Sequence, residues 1–488
     1  MLGPKSRIFL VMIGTMASIA NFSYDAAMIN SLNIMNYFAT YFKLNSTTSG
    51  LNVAIIYAGS VLALPFAGPL LDRFGRRKGM IVATVVGLIG CILQVAAKEI
   101  IQLLIGRFLL GTTFIVVGAG GPSWLMEIAP PKSRALITHG MLGSLPITGT
   151  IGAILYLGIW QSTSDWAWRG GLMGELVGPI IALCVLPFSP ESIRYSIAKK
   201  RTEEAFDTLV SLRSGDRDDP EVIAEFESIV GSIRHETEGT SENSWRPLIK
   251  PGPNLRRFGI AVLTNIFWQT NGTNFMPYFF TLVISEAGVE STSTLLKVNV
   301  AISAWAALAN VCGIILTAQW GRRKMFLLCT PILGLSFLVL GILQYYIDTY
   351  QYSSYGIGAV AVCFIFQWTS FSSWMILTFS YPAEILKYTQ RAKGMVASQA
   401  IGYLVGCMMT YTMPLALERI SWIYYIINAA WIVPMVGIIW FIFPETKGKS
   451  LEEIDEIFEG ARTSSLHEVL DGVEIEMSTV TKDSDDNK

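Results

Sequence analysis

Ionisable side chains stand inside three long apolar stretches of this sequence. Asp25 lies in the first stretch, Arg107 lies in the fourth, and Glu175 lies in the sixth, six residues after Arg169. A charged group in an apolar span is costly and is therefore a candidate functional residue by default. An unpaired carboxylate would be especially costly, so Glu175 is expected to be protonated, to face a polar cavity or to have a partner.

Amide side chains are concentrated in another stretch, Trp268–Phe279. An amide both donates and accepts hydrogen bonds, which suits a hydroxylated ligand. Gln269 and Asn274 are five residues apart, which corresponds to about 140° around an ideal helix. Both side chains reach one cavity only if the backbone is distorted near Gly272, and Gly272 and Pro277 make such a bend easy.

A charged turn occurs twice along the chain, about half the chain length apart. Residues 68–77 read Gly-Pro-Leu-Leu-Asp-Arg-Phe-Gly-Arg-Arg, and residues 318–323 read Ala-Gln-Trp-Gly-Arg-Arg. Each turn lies between two apolar spans. The recurrence predicts two homologous halves, each a bundle of membrane helices, with a site at the interface between them.

The composition is that of a membrane protein. Of 488 residues, 52% are hydrophobic and 15% are charged, and the mean hydropathy is +0.46. Helices are expected because an open sheet leaves its backbone unsatisfied in lipid. At roughly 20 residues per span, twelve spans are predicted, at roughly 8–31, 50–71, 80–98, 101–124, 138–160, 168–188, 257–284, 296–317, 325–346, 355–382, 395–416 and 423–443.

Lysine and arginine are concentrated in every second loop, after spans 2, 4, 6, 8 and 10. By the positive-inside rule, both termini are predicted to face the cytoplasm. The predicted domains are 1–188 and 257–443, each with six membrane helices, a cytoplasmic linker at 189–256 with short amphipathic helices, and a cytoplasmic tail at 444–488 that is mostly disordered after about 459.

The composition disfavours other classes of protein. A net charge of −1 argues against a nucleic-acid partner, and the six cysteines lack the spacing of metal ligands. The three histidines, His139, His235 and His467, belong to no recognisable nucleophile–base set. Neither an enzyme nor a bound metal or cofactor is expected.

Several strings resemble the sugar porter family of the major facilitator superfamily, particularly its fungal-type sugar/H+ symporters. They cover nearly the whole chain to about residue 458, and their combined order and placement are specific to that family. The strings are the turn at 68–77, Gly106–Gly111, Glu127–Arg134, Trp166–Arg169, Pro190–Tyr195, Glu384–Gly394 and Pro444–Gly448.

The resemblance implies an all-α membrane protein with the major facilitator fold, in which twelve transmembrane helices form two pseudo-symmetric six-helix domains. Charges of alternating sign at the cytoplasmic helix ends are then expected to latch the two domains together when the inner face is closed. The alternative is a solvated loop, worth under about 1 kcal/mol per exposed pair. The second turn carries Ala318 in place of an aspartate, so the two latches are expected to be unequal. The expected latch residues are Asp72, Arg76, Arg77, Glu127, Arg134, Glu191, Arg194, Arg322, Arg323, Glu384, Arg391 and Glu445.

Asp25 and Arg107 match two residues of the proton-coupled sugar porters, the helix 1 aspartate that takes up the proton and the helix 4 arginine that modulates it. Desolvation favours a protonated carboxyl, whereas a nearby guanidinium favours an ionised one. Relative movement of the two groups can therefore switch the protonation state. A permanent structural ion pair in a facilitator is the alternative.

The resemblance also implies substrate contacts, with Glu175 as a further candidate beside four residues of span 7: Gln269, Asn271, Asn274 and Tyr278. Other sugar contacts of the family are absent. Gly143, Ala306 and Phe379 stand where a glutamine, an asparagine and a tryptophan are usual. The pocket is therefore expected to be less polar than a hexose site, which favours a disaccharide or a less hydroxylated metabolite.

Together these features predict a proton-coupled symporter at the plasma membrane that imports a sugar or a related polyhydroxylated small molecule. The expected partners are this solute, H+ and membrane lipid, and the protein is expected to act as a monomer. A uniporter or exporter of another small organic metabolite is the alternative within transport. A nutrient sensor with a transporter fold is the alternative outside it, although such sensors are expected to carry longer tails than the roughly 44 residues after Pro444.

Overall fold

The computed structural model describes residues 4–32, 35–130, 134–161, 165–213, 216–238, 246–274, 291–350, 354–449 and 451–459. This part of the chain consists of helices joined by short loops and turns. Ten of the described helices are long and apolar enough to cross a membrane. The twelve predicted spans correspond to these ten helices together with α6 and α13, whose bounds are given below.

The first half of the bundle contains six spans, the last of which is α7 and α8 joined by a short 3-10 turn. Asn45 caps α3, because its Oδ1 accepts a hydrogen bond from the backbone nitrogen of Thr48 at 2.8 Å. The helices are α1 Pro4–Leu32, α2 Asn36–Tyr41, α3 Ser46–Phe74, α4 Arg76–Val95, α5 Ile100–Ile128, α6 Arg134–Ile159, α7 Trp166–Met173 and α8 Val177–Val185.

Short helices come next, where the sequence predicts an amphipathic linker. Helices cover the two segments that show helical spacing of apolar residues, Thr202–Arg213 up to Leu212 and Pro220–Arg234 throughout. The helices are α9 Ile193–Ala198, α10 Thr202–Leu212, α11 Pro220–Glu238 and α12 Arg246–Ile249.

The second half of the bundle also contains six spans, and one of them includes a π-helical segment, Ser370–Trp374, between α16 and α17. Residues 275–290, where the sequence continues the seventh span, lie outside the described part of the chain. The helices are α13 Pro253–Thr270, α14 Thr292–Trp320, α15 Arg322–Tyr350, α16 Ser354–Thr369, α17 Met375–Ile385, α18 Tyr388–Ile420 and α19 Trp422–Ile442.

Glycines bring the helices of the first half into backbone contact. A Cβ at Gly59 of α3 would lie 2.2 Å from the backbone oxygen of Phe108, and a Cβ at Gly111 of α5 would lie 2.0 Å from that of Ile56. Small residues let membrane helices approach closely, where van der Waals packing stabilises them. The α3–α5 contact fixes the position of Arg107 in the adjacent turn of α5.

A last helix, α20 Leu451–Glu459, packs against the start of α13. Its apolar side chains Ile454 and Phe458 are only 3% and 8% exposed. The Arg257 guanidinium lies 4.6 Å from the centre of the Phe458 ring, and its Nη2 lies 3.4 Å from Glu459 Oε1. Lys387 Nζ pairs with the same oxygen of Glu459 at 2.5 Å. Residues 460–488, predicted to be mostly disordered, lie outside the described residues.

Candidate functional site

A fully buried ion pair joins α1 and α5. Arg107 Nη1 donates to Asp25 Oδ1 at 2.9 Å, and both side chains are 0% exposed. Arg107 Nε also donates to the backbone oxygen of Asn52 in α3, at 2.6 Å. The two charged side chains depend on each other, because removing one partner of a buried pair leaves an uncompensated charge.

Glu175 is the third member of this group, which we call the ion cluster (Asp25, Arg107 and Glu175). The Glu175 carboxyl interacts directly with that of Asp25, and its Oε2 accepts a hydrogen bond from Gln94 Nε2 at 3.2 Å. Among the described residues, Asp25 Oδ2 and Glu175 Oε1 have no hydrogen-bond donor. The cluster holds two acids and one base. One proton shared by the two carboxyls would make it neutral and would supply the missing donor.

Glycines of the sixth span bring α1 against α7 and α8. A Cβ at Gly174 would lie 2.0 Å from Tyr24 Oη, and a Cβ at Gly178 would lie 2.6 Å from the backbone of α1. This close approach places Asp25, the residue after Tyr24, beside Glu175, the residue after Gly174. The ion cluster is therefore a product of helix packing within the first half.

A central cavity lies between the two halves and is lined by α1, α3, α5, α6, α13, α14, α16, α17 and α18. Its empty volume, including its open mouth, is about 1030 Å³. The wall is mainly apolar and aromatic, and no described lining residue is Asp, Glu, Lys, Arg or His. The ion cluster lies outside this cavity, because α1 presents Ser23 and Ala26 to the cavity and Asp25 to its own half.

The helix that carries the predicted amides is broken as expected. α13 ends at Thr270, and Gly272 in the next turn has φ +87°, a conformation that favours glycine. Gln269 and Asn274 meet as a result, and Asn274 Nδ2 donates to Gln269 Oε1. Asn274 Oδ1 accepts a hydrogen bond from Tyr57 Oη at 3.1 Å, which joins the two halves. All three of these polar side chains line the cavity.

Two predicted substrate contacts have other positions. Asn271 is 0% exposed and lies behind the cavity wall, where its Oδ1 accepts from the backbone nitrogen of Thr273 at 2.9 Å and stabilises the turn. Glu175 belongs to the ion cluster, because the sixth span turns it toward α1 and away from the cavity. Neither residue lines the cavity in this conformation, and a contact of either with the substrate stays a prediction. Tyr278 lies outside the described residues.

Polar contacts join the two halves at one end of the cavity. Asn30 Nδ2 of α1 donates to Asn299 Oδ1 of α14 at 2.9 Å, and Asn299 Nδ2 donates to Ser31 Oγ at 3.0 Å. At the same end, Gly50 of α3 lies so close to α18 that a Cβ there would be 2.4 Å from the backbone oxygen of Tyr411. The two halves are therefore in tight contact at this end, which we call the Asn30 end.

The repeated charged turns lie at the opposite end of the bundle. In the first half, Arg76 pairs with Asp72 and with Glu127, each at 3.2 Å. Glu191 Oε1 accepts a hydrogen bond from the backbone nitrogen of Arg77 at 3.1 Å. This bond places a carboxylate at the first turn of α4, where the helix dipole stabilises negative charge.

The second half repeats this arrangement. Arg322 pairs with Glu384 through Nε at 3.0 Å and through Nη2 at 2.8 Å. Glu445 accepts hydrogen bonds from the backbone nitrogens of Arg322 at 2.9 Å and Arg323 at 3.1 Å, at the first turn of α15. The two charged clusters therefore share one pattern, which makes the pseudo-symmetry of the halves visible in individual bonds, but the second has Ala318 where the first has Asp72.

In this conformation the ion pairs of the clusters connect helices of the same half. Ion pairs between the halves are expected only when the inner face is closed, so the latch stays a prediction. Here the halves meet at the Asn30 end, and Arg76 and Arg322 each pair with acids of their own half. Of the other predicted latch residues, Arg194 lies in α9 and Arg391 lies in α18, and the Arg134 side chain lies outside what the structure describes.

The sequence model of the family described as "Sugar (and other) transporter" matches residues 10–458. The chain belongs to this family. Its members and this chain are membrane transporters and not enzymes. The match extends over both halves, the linker between them and α20.

Individual relatives agree with this assignment. The transporter is 27% identical to the MFS-type transporter oryC of Aspergillus oryzae over 461 residues, which cover 92% of this chain and 85% of the relative. It is 27% identical to the sugar transporter STL1 of Saccharomyces cerevisiae, with 93% and 82% of the two chains covered. The inward-open structure of the xylose transporter XylE from E. coli is similar at a TM-score of 0.77 and 20% identity, with 93% and 100% covered. This likeness shows the major facilitator fold.

Two of the three departures from the usual sugar contacts lie at the cavity of this sugar transporter family member. Ala306 of α14 and Phe379 of α17 both line it. Gly143 of α6 does not, and the nearest side-chain atom to a Cβ built there is Asn310 Oδ1 at 3.7 Å. On α14 and α17 the wall therefore lacks the polar groups that the family usually has at these two positions.

Sequence reasoning missed several polar residues that line the cavity, among them Asn30, Tyr57, Asn299 and Gln367. A polar side chain in an apolar span was the available signal, but its direction depends on helix rotation, which the sequence leaves open. A second pattern in the sequence could have indicated that Glu175 belongs to the ion cluster. Gly171, Gly174 and Gly178 are spaced by three and four residues around Glu175, which is typical of a close helix contact.

Proposed function

We propose that this protein is a proton-coupled symporter that imports a sugar or a related polyhydroxylated small molecule by alternating access. The observation that carries the proposal is the ion cluster, whose two acids and one base are all 0% exposed. An excess buried carboxylate is costly, whereas a bound proton removes the excess charge. Two comparisons support the class of solute: STL1 is described as a sugar transporter, and another protein of this fold is described as a D-xylose–proton symporter.

Proton binding and solute binding are linked through α1. This helix presents Ser23 and Ala26 to the solute cavity and Asp25 to the ion cluster. A proton on the carboxyl pair weakens the attraction between Asp25 and Arg107, so that α1 can move relative to α5 when solute fills the cavity. Loss of the proton restores the ion pair and makes the step directional.

The orientation follows from the distribution of basic residues. The charged turns and the linker lie at one end of the bundle, which the positive-inside rule assigns to the cytoplasm, together with both termini. The Asn30 end is then the outer face, and this conformation, which is tightly packed there, is one that releases solute inward. We propose the plasma membrane as its location and the monomer as its functional unit, since the cavity is built from one chain.

Uptake by a transport-null cell separates the proposal from its alternatives. A panel of labelled sugars and polyols is added to a weakly buffered suspension, and internal solute and external pH are followed together. A symporter accumulates its solute above the external concentration and makes the medium more alkaline. A uniporter equilibrates its solute without a pH change, an exporter fills only inside-out vesicles, and a sensor moves none of the compounds.

Gln269→Ala is expected to raise the apparent KM for the transported solute by about tenfold, because one polar contact to a solute is worth roughly 1–2 kcal/mol. Gln269 lines the cavity and is held by Asn274. Initial uptake rates against solute concentration give the value. Asn428→Ala removes a buried amide of α19 that does not line the cavity and is the control. A wild-type KM in Gln269→Ala would place the solute elsewhere.

Arg76→Ala or Glu384→Ala is expected to shift the protein toward the state that is open at the charged end. These side chains are proposed to pair across the halves only when that end is closed, so losing one of them destabilises the closed state. Reactivity of single cysteines toward an impermeant thiol reagent, applied from each side of the membrane, reports the shift. Glu225→Ala breaks a similar pair with Arg213 (2.8 Å) that involves only the linker. Unchanged reactivity in both variants, at normal expression, would contradict the latch.

A further inference from the structure

The residues that line the cavity restrict the chemical class of the solute more closely than membership of the sugar transporter family does. Because no described lining residue carries a formal charge, an ionised solute would lose its water without gaining a counterion. The wall instead offers aromatic rings from both halves, including a stacked pair, Phe22 and Phe114, whose ring centres are 3.7 Å apart. An uncharged molecule with a substantial apolar surface fits this wall better than a molecule covered with hydroxyl groups.

Most polar groups of the cavity are already bonded to one another. Gln269, Asn274 and Tyr57 form one hydrogen-bonded chain, and Asn30 and Asn299 belong to a second chain. A solute that binds these groups has to replace existing bonds, so part of the gain from each new contact is offset by the bond that it replaces.

Gln367 is different. It lines the cavity from α16 and is only 5% exposed, and its Oε1 is buried without a hydrogen-bond partner among the described residues. Buried amides are normally satisfied, as the Gln344 amide is by Asp348 at 3.0 Å. An unpaired amide oxygen in a side chain of the cavity wall is the arrangement expected of a group whose partner is the ligand.

The helix that carries Gln367 is shaped to face the cavity along its length. Gln367, Phe371, Met375 and Phe379 all line the cavity and recur every four residues. On a regular helix, side chains four residues apart differ in direction by about 40° around the helix axis, so a series of four gradually turns away from one wall. The π-helical segment Ser370–Trp374 interrupts the regular helix within the series. It has more residues per turn, so it reduces the drift and keeps the four side chains on one wall.

Two contacts hold this segment in place. Ser370 Oγ and Thr273 Oγ1, in the turn after α13, are 2.8 Å apart and share a hydrogen bond. On the other side, Gly313 of α14 lies so close to the segment that a Cβ there would be 2.3 Å from the backbone oxygen of Ser372. The position of Gln367 is therefore set by packing on both sides and does not depend on a flexible loop.

We infer that Gln367 is a substrate-binding residue that selects an uncharged, amphipathic solute with a hydroxylated head and an apolar ring bearing one hydroxyl or carbonyl group. The head contacts Gln269 and Asn274, the apolar ring packs on Phe371 and Phe379, and the ring substituent bonds to the Gln367 amide, which can donate or accept. The inference rests on the proposed function, in that the central cavity is taken as the transport site.

Three glucosides that share one head group test this inference. Methyl, phenyl and 4-hydroxyphenyl β-D-glucopyranoside differ only in the aglycone, and their binding to the purified full-length protein is measured by quenching of tryptophan fluorescence, since Trp268 lines the cavity. The wild type is expected to bind the phenyl compound about tenfold more tightly than the methyl compound, and the 4-hydroxyphenyl compound more tightly again by a factor of about five to ten.

Gln367→Leu is expected to erase the preference for 4-hydroxyphenyl over phenyl and to leave the preference for phenyl over methyl. Gln344→Leu removes an amide that is equally buried, at 5% exposure, but does not line the cavity, and it should keep both preferences. Equal binding of the three compounds by the wild type, binding of none of them, or an intact hydroxyl preference in Gln367→Leu would overturn the inference.

The outcome is separate from that of the proposed function. Binding to the purified protein needs no proton gradient, so a facilitator that shows both preferences would support the role of Gln367 and contradict proton coupling. Conversely, proton-coupled glucose accumulation that is unaffected by Gln367→Leu, with no preference for the aromatic glucosides, would leave the symporter intact and remove this substrate class.

Discussion

Asp25→Asn is expected to abolish accumulation, so that the internal solute concentration reaches the external one and does not exceed it. The introduced amide cannot take up a proton, and the remaining acid and base of the cluster, Glu175 and Arg107, already balance each other in charge. Solute-induced alkalinisation of the medium should vanish with accumulation. Exchange of labelled for unlabelled solute should persist in part, because the cavity residues are unchanged and exchange needs no net proton movement.

The control is the same substitution, aspartate to asparagine, at a site outside the ion cluster. Asp348→Asn alters an aspartate in the last turn of α15, which bonds to Gln344 and Ser421 far from the ion cluster, and it should leave accumulation intact. Undiminished proton uptake by Asp25→Asn would show that the proton binds elsewhere. Loss of both accumulation and exchange, with normal folding, would indicate that the ion pair is structural.

Gly50→Trp is expected to reduce transport to background by holding the halves apart at the Asn30 end. Any Cβ at this position would meet the backbone oxygen of Tyr411 at 2.4 Å, and a backbone atom cannot move aside as a side-chain end can. The closed contact between α3 and α18 then cannot form, so the protein should remain open at this end. A cysteine introduced by Ser303→Cys, on the cavity wall, should become reactive from the outer side and protected from the cytoplasmic side.

The control for this variant is Gly437→Trp, since a Cβ at Gly437 in α19 has no other heavy atom within 4 Å. This change adds the same bulk to a membrane helix without touching the interface of the halves, and transport should stay near the wild-type rate. Solute transport by Gly50→Trp at the wild-type rate would mean that α3 and α18 do not need to approach this closely during the cycle.

Features that depend on one helix were predictable from the sequence. The spans follow from hydropathy, and the break after Gln269 follows from Gly272 and from the angle between Gln269 and Asn274 on an ideal helix. The pairing of Asp25 with Arg107 was predictable for a different reason, because a buried charge needs a partner and the two residues match a known pair of the family.

Features that depend on how two helices rotate against each other were not predictable in this way. Glu175 was expected among the solute contacts, but packing of the sixth span on α1 turns it to Asp25. The charged turns are expected to bond across the halves only when the inner face is closed. Which partner an arginine takes depends on the conformational state, and both states use the same sequence. Gln367 went unnoticed because an isolated glutamine in an apolar helix gives no indication of its direction.

The docking of α20 extends the packed bundle to Glu459. Arg257 is 2% exposed at the start of α13, and α20 supplies its carboxylate partner and the aromatic ring beneath its guanidinium. A shortened gene that stops before Leu451 would remove this carboxylate and this ring from Arg257, whereas one that stops after Glu459 would preserve them. Reporter fusions and crystallisation versions of this transporter should therefore keep the chain through Glu459 and vary only the residues beyond it.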